Sequence, residues 1–255
     1  MTESIQTEVV EHILQIRIVR PERKNALTHT MYDAMTAALQ QADDKSDIRA
    51  IFITGTEDCF TSGNDVQDFL SHPPSGPDSP VFRFMRTLQQ CRKPVIAAVN
   101  GAAVGIGATL LLHCDLVYLG PAARLQMPFV KLGLCPEYAS SLLLPALVGH
   151  RRATELLLLG ETMSAEEAVN TGIANAVFDK DYQEKALDKA RRIAALPPAA
   201  IRMAKQLMKE PLEEQVSRQI AREGAAFVER LSSPEAREAM MAFMQKRPAD
   251  FSPFE

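Results

Sequence analysis

With 255 residues, 46% of them hydrophobic and 24% charged, the chain can bury one large core or a main body with an appendage. A net charge of −4 leaves no basic footprint for nucleic acid, so no such partner is expected. Four scattered cysteines (Cys59, Cys91, Cys114, Cys135) without a CxxC pair exclude a disulfide framework or zinc site by pattern and suit a reducing compartment.

The opening "MTESIQTEVVEH" has no apolar stretch of a signal peptide and is too acidic for a transit peptide. The closing "SPFE" is no peroxisomal address, so a cytoplasmic location is expected. "HILQIRIV" (12–19) alternates Leu14, Ile16 and Ile18 with Gln15 and Arg17, the pattern of a half-buried strand. After "RPERKNAL", Thr28 is placed to cap a helix whose Met31, Met35 and Leu39 recur every four residues. "IRAIFIT" (48–54) predicts a second strand, which leads through "GTEDCFTSGND" into a helix starting near Asn64. "SHPPSGPDSP" (71–80) collects Pro, Ser and Gly and predicts a loop.

From Pro94 to Cys114 no formally charged residue occurs, a run just long enough to span a bilayer. Asn100 and Gly101 interrupt it, and Gly105 and Gly107 follow. "KPVIAAV" therefore predicts a buried strand, "NGAAVGIG" a turn and "ATLLLHC" the start of a buried helix, with no membrane span. "DLVYLG" and "RLQM" predict short strands, and the alternation of strands with helices predicts an α/β fold with crossover connections. Beyond residue 150 the strands fade. "HRR" (150–152) reads as a solvated helix end, Ser164 and Glu167 form a capping box, and Ser233 with Pro234 opens a late helix. Four helices and no strand are predicted between about 181 and 246. The five histidines are dispersed outside any ligand motif, so no metal is expected.

Two stretches share a strand, a small-residue turn and a helix: "IFITGTEDCFTSGNDVQDF" and "VIAAVNGAAVGIGATLLL". The second helix is predicted to begin near Gly105 or Ile106. Each helix start leaves backbone N–H groups without partners, and two such ends together can hold an oxygen that gains negative charge. Neither turn is a phosphate loop, and "GAAVGIG" lacks the full GxGxxG spacing of a dinucleotide site. A strand–glycine–helix turn that binds nothing has the same local pattern. "LGLCPEYASS" (132–141) adds a single acid, Glu137, in a run with no other charge. Burying such a carboxylate costs several kcal/mol unless it is paired or neutralised. Two uses are open for it: an acid in the first turn of a helix with Pro136 at its first position, or a catalytic base.

"KNAL" (24–27), "FTSGNDVQDF" (60–69), "KPVIAAVNGAAVGIGATLLLHCDLVY" (93–118) and "TGIANAVF" (171–178) together resemble the crotonase superfamily, the enoyl-CoA hydratases and isomerases. The resemblance covers nearly the whole chain. It implies a spiral of repeated ββα units, with residues 1–197 as catalytic core and 198–255 as a helical region that builds trimers or dimers of trimers. It implies an acyl-CoA thioester substrate, coenzyme A being part of the substrate and no separate cofactor being needed. The backbone amides of Asn64 and Ile106 would form an oxyanion hole. Lys24, Ala26, Leu27, Ser62, Gly63, Asp65, Val66 and Gly105 would sit along the CoA moiety.

Departures from the pattern select a branch. Hydratases of this family carry glutamates where this chain has Thr109 and Phe129, and neither residue can activate water or deliver a proton at neutral pH. Glu137 matches the lone glutamate of the peroxisomal-type Δ3,Δ2-enoyl-CoA isomerases, whose reaction needs one base. The expected function is that isomerisation. The alternatives are weak hydration, isomerisation of an aromatic-derived CoA ester, or a non-catalytic acyl-CoA-binding homologue. Asp65 and Asp68 are expected as a solvated helix start, Tyr138 as a packing residue, and Lys24 as either a surface lysine or a partner of CoA phosphate.

Overall fold

The computed structural model describes residues 4–254. A two-residue turn joins β1 (Ile5–Val10) and β2 (Ile13–Ile18) into an antiparallel hairpin. Its turn residues, Glu11 and His12, both have positive φ (50° and 66°). That conformation suits a tight hairpin but is usually built from Asn-Gly, so no turn signal marks it. β1 also buries only Ile5, which explains why alternation does not reveal the strand.

α1 (His29–Asp44) follows, capped by Thr28, whose side chain accepts the Met31 N–H. The chain then runs β3 (Ala50–Thr54), β4 (Cys59–Thr61), α2 (Val66–Ser71), α3 (Pro80–Gln90), β5 (Val95–Val99), β6 (Ala102–Val104) and α4 (Ile106–Thr109). After a 3₁₀ turn at Leu110–His113 come β7 (Leu116–Leu119), β8 (Arg124–Gln126), α5 (Ser140–Val148), α6 (His150–Leu158), β9 (Thr162–Ser164), α7 (Ala165–Asn170) and β10 (Ala176–Val177). α8 (Tyr182–Ala194), α9 (Pro198–Leu231) and α10 (Pro234–Gln245) complete it.

From β3 to β8 successive strands alternate between two sheets. The larger has the order β1-β2-β3-β5-β7-β10 and the smaller β4-β6-β8-β9. Each pair (β3/β4, β5/β6, β7/β8) therefore adds one strand to each sheet, and the chain advances as a spiral. β3, β5 and β7 pair in parallel. β3 and β5 are buried along their whole length, as strands covered on both faces must be. One face packs against the main core, with α1 and α3. On the other, Ala186, Ala190 and Ala194 of α8 lie over Ile13, Phe52, Ile96 and Tyr118. Their spacing of four places all three alanines on one helix face, and their small side chains let the helix lie close to the sheet.

The Asn100–Gly101 corner ties neighbouring turns of the spiral. Asn100 Nδ2 donates to Glu57 O (2.9 Å), and its Oδ1 accepts the Ala122 N–H (3.0 Å). Gly101 has φ +62°, and a Cβ there would lie 1.8 Å from Asp58 O. Gly101→Ala is expected to destabilise the protein by about 2–4 kcal/mol, read as a lower urea midpoint with unchanged slope. A midpoint equal to wild type would show that the corner yields easily.

Where the pattern predicts four helices over 181–246 there are three, because α9 continues through Pro211. Proline in a helix interior removes a hydrogen bond from the carbonyl four residues earlier. That carbonyl belongs to Leu207, which is itself exposed on the subunit, so the freed group is not shut inside the core. β9 and β10, of three and two residues, are too short for periodicity to show. The capping box at Ser164/Glu167 and the Ser233–Pro234 helix start form as predicted. "HRR" is not fully solvated, since Arg152 pairs with Glu155, Glu161 and Glu167. Among the described residues no helix is long and apolar enough to cross a membrane.

Candidate active site

The spiral puts the two glycine turns side by side. β4 and β6 are parallel neighbours, so the segments leaving them emerge at the same end of the small sheet. Close approach depends on glycine. A Cβ on Gly63 (φ +93°) would lie 2.9 Å from Val104 O, and one on Gly107 would lie 2.5 Å from Thr61 Cγ2. Gly105, at φ 56° and ψ −120°, turns the chain from β6 into α4 in a conformation that side chains disfavour.

Asn64 forms a parallel bridge with Leu27. The Leu27 N–H donates to Gly63 O and the Asp65 N–H to Leu27 O, both at 2.8 Å. In that arrangement the residues flanking Asn64 make the bonds, and its own N–H faces away from Leu27. Ile106 is the first residue of α4, where the N–H has no intrahelical acceptor. Among the described residues neither amide is paired with a backbone carbonyl. α2 begins at Val66 rather than Asn64, because Asp65 caps it by accepting the N–H groups of Gln67 and Asp68.

Glu137 is 4% exposed and does not open a helix. α5 starts three residues later at Ser140, after Tyr138 and Ala139 in left-handed conformation (φ 59° and 56°). The helix-start alternative for Glu137 is thereby replaced. Thr109 Oγ1 donates to Glu137 Oε1 at 2.5 Å. Burial pushes the Glu137 carboxyl up to about 8, the Thr109 hydrogen bond opposes this, and the charge of Glu223 adds to it. One turn of α4 thus carries the Ile106 amide at its start and the partner of Glu137 at its end, about 4.5 Å apart along the axis.

Supporting groups surround this core. Tyr32 donates to Asn64 Oδ1 (2.5 Å), and its phenol is held well above the ordinary value by burial, then by Glu137 and Asp68. Tyr138 is a packing residue as expected. It is 1% exposed, donates to Met85 O (2.9 Å) and stacks on His113 at 3.8 Å between ring centroids. His113 Nε2 lies 2.8 Å from Tyr138 O, and burial lowers its imidazole to about 3, so the ring is neutral. Phe129 is buried beside the Gly105 turn. Two cavities of about 590 and 730 Å³ flank α9, and neither is lined by Asn64, Ile106 or Glu137.

A model of the enoyl-CoA hydratase/isomerase family matches residues 8–253. The chain belongs to that family. Human enoyl-CoA delta isomerase 2 is 34% identical over 92% of this chain, which spans 61% of that relative's length. Escherichia coli 2,3-dehydroadipyl-CoA hydratase is 31% identical over 94% of this chain and 95% of its own. The solved structure of Pseudomonas aeruginosa OdaA is 53% identical, with TM-score 0.93 over 95% of this chain and 99% of that one.

The "KNAL" segment (24–27) is tied to "FTSG" (60–63). The Lys24 carbonyl accepts the Ser62 N–H (3.0 Å), while buried Asn25 donates to Thr56 Oγ1, Cys59 O and Phe60 O and accepts the Arg20 N–H. Ala26 and Leu27 are buried, Ser62, Val66 and Gly105 half-buried, and the Lys24 side chain exposed. The expected solvated helix start at Asp65 and Asp68 is corrected. Asp65 pairs with Arg20 at 2.7 Å, and Asp68 Oδ2 accepts the His29 N–H at 2.8 Å. Burial alone would raise the Asp65 carboxyl. The Asp68 N–H, the Arg20 guanidinium and the Gln67 N–H outweigh it and hold the group below its usual range. Two of the dispersed histidines also meet in space: His29, Asp68 and His72 bring ligand atoms within 4.8 Å of one another.

The sequence singled out Asn64, Ile106 and Glu137, and the fold brings their elements together through α4 and the β4/β6 pair. Tyr32, Asn25 and His113 were not singled out. A buried tyrosine beside the Met31/Met35 stripe was the available signal for Tyr32.

Proposed function

We propose that this protein is a Δ3,Δ2-enoyl-CoA isomerase acting in fatty-acid or related acyl-CoA degradation. The observation that carries this is Glu137, a buried carboxyl with a raised pKa, bonded to Thr109 at the end of the helical turn that Ile106 begins. Thr109 and Phe129 stand where a hydratase would need its acids. The thioester oxygen of a 3-enoyl-CoA accepts hydrogen bonds from the Asn64 and Ile106 amides. Glu137 removes a proton from C2, and the charge spreads onto the thioester oxygen and C4. The same carboxyl, now protonated, returns the proton to C4 and leaves the trans-2-enoyl thioester. Lys24, Ala26, Leu27, Ser62, Gly63, Asp65, Val66 and Gly105 border the path of CoA. The exposed Lys24 ammonium faces a phosphate, and Asp65, engaged by Arg20, acts by fixing the loop.

Steady-state assays on 3-hexenoyl-CoA and 2-hexenoyl-CoA test the reading. Conversion of the first to the trans-2 isomer, far faster than hydration of the second, is the expected result. Hydration that matches or exceeds isomerisation overturns it in favour of a hydratase, and no turnover of either favours a binding protein.

We also propose a homotrimer or dimer of trimers. Met203, Leu207, Met208 and Leu212 of α9 and Met241, Phe243 and Met244 of α10 are exposed, more apolar surface than a monomer usually leaves open. Light scattering is expected to give three subunits or a multiple. A monomer at micromolar concentration would count against this assembly.

A further inference from the structure

Glu223 lies on α9, far in sequence from the loop it grips, and is 6% exposed. Its Oε2 accepts the Ala139 N–H at 2.5 Å. Its Oε1 accepts the Ser141 N–H at 3.1 Å, the Ser141 hydroxyl, and Gln219 Nε2 at 3.4 Å. No acceptor faces it in this set, which suits a carboxylate, a group that only accepts when ionised. The residues it grips immediately follow Glu137. Tyr138 and Ala139 hold a left-handed kink that L residues adopt at a cost, and such strain persists only where surroundings fix it. His113 and Met85 secure Tyr138 from one side, and Glu223 secures Ala139 and Ser141 from the other.

We infer that Glu223 is a positioning residue for the reaction, clamping the 138–141 kink so that the Glu137 carboxyl stays held against Thr109 at the end of α4. The negative charge of Glu223 also acts on Glu137, in the direction that raises its carboxyl. The inference rests on Glu137 being the base. The groups facing Glu137 are Thr109 from α4, Tyr32 from α1, Cys135 and Tyr138 from its own loop, and Glu223 from α9. Tyr32, Cys135 and Tyr138 are all pushed toward their neutral forms, first by burial, and His113 behind Tyr138 is neutral. Glu223 is therefore the nearby group able to supply negative charge. Burial raises its own carboxyl, against the hydrogen bonds from Ser141, Gln219 and Ala139.

The test compares kcat, KM and the pH profile of Glu223→Gln, Glu223→Asp and Glu137→Gln on 3-hexenoyl-CoA. Glutamine can keep its oxygen toward Ser141 but turns an NH₂ toward the Ala139 N–H, so the kink loosens. kcat is expected to fall roughly 10–100-fold, as for a reacting group displaced by a fraction of an ångström to 1 Å, with KM nearly unchanged. Removing the negative charge favours ionised Glu137, so the rise of kcat/KM with pH is expected to move to lower pH than in wild type. Glu223→Asp keeps the charge but falls one methylene short: kcat drops while the rise stays at the wild-type pH. A Glu223→Gln enzyme with wild-type kcat and an unshifted profile, alongside inactive Glu137→Gln, overturns the inference and leaves the base assignment standing. An active Glu137→Gln overturns both. If Glu223→Gln does not fold, Glu223→Asp decides, and wild-type kcat in that variant overturns the inference.

Discussion

Replacing Glu137 with glutamine is expected to lower kcat by about 10²–10⁴-fold or more while leaving fold and CoA binding in place. Glutamine has the same shape and can still accept from Thr109 Oγ1, so the change removes the base and little else. Stability supplies a second readout whose sign follows from the carboxyl's position at about 8 against an ordinary 4.5. A carboxyl raised in the folded state favours folding while protonated, and that contribution is lost as pH climbs through the folded value. Wild type should therefore lose stability between about pH 4.5 and pH 8 relative to the variant. Glu137→Gln is expected to show the higher urea midpoint at pH 9 and a similar or lower one at pH 5. Wild-type kcat/KM should rise with pH up to about 8, as the base ionises in the free enzyme. Near-wild-type turnover in the variant removes Glu137 from the mechanism. A midpoint difference that does not change with pH removes the raised pKa.

The parts legible in the sequence are those whose physics is local. Thr28, Ser164 with Glu167, and Ser233 with Pro234 each satisfy orphan N–H groups within three or four residues, so the cap and its helix can be read together. The β5–β6–α4 unit shows itself through an uncharged run broken by Asn100–Gly101 and Gly105. Glu137 stands out because nothing charged lies near it along the chain.

What the pattern hides is made of distant partners. Asp65 looks like an exposed helix start until Arg20 is found against it. Glu223 sits in an ordinary polar helix sequence, and its partner Ser141 lies 82 residues earlier. α9 crosses Pro211 where Leu207, whose carbonyl the proline frees, lies on the exposed side of the subunit, a tertiary feature that no local pattern reveals. The same holds for the Glu137 environment. The sequence predicts an acid among apolar residues, whereas Thr109, a position notable for lacking an acid, proves to be its hydrogen-bond partner.

The second large effect is expected at Ile106. Its side chain is 1% exposed within the main core, so Ile106→Ala should cost stability while kcat stays close to wild type. Ile106→Pro differs in that it also deletes the backbone N–H. Proline is well tolerated at the first position of a helix, which is where Ile106 stands, and the N–H it lacks is one that α4 leaves unpaired. Comparing the two folded variants isolates the amide. Loss of one oxyanion donor typically costs about 3–4 kcal/mol of transition-state stabilisation, so kcat of Ile106→Pro should fall a further ~10²–10³-fold below Ile106→Ala. Asn64 makes the companion case. Its side chain accepts from Tyr32, so Asn64→Ala disturbs that bond but spares the amide, and only a modest drop is expected. In a complex with an acyl-CoA analogue, the thioester oxygen should lie about 2.7–3.1 Å from both amide nitrogens, with the Glu137 carboxylate near C2. Equal kcat in the proline and alanine variants, or a thioester oxygen that meets only one amide, would remove the two-donor oxyanion hole even with Glu137 confirmed as the base.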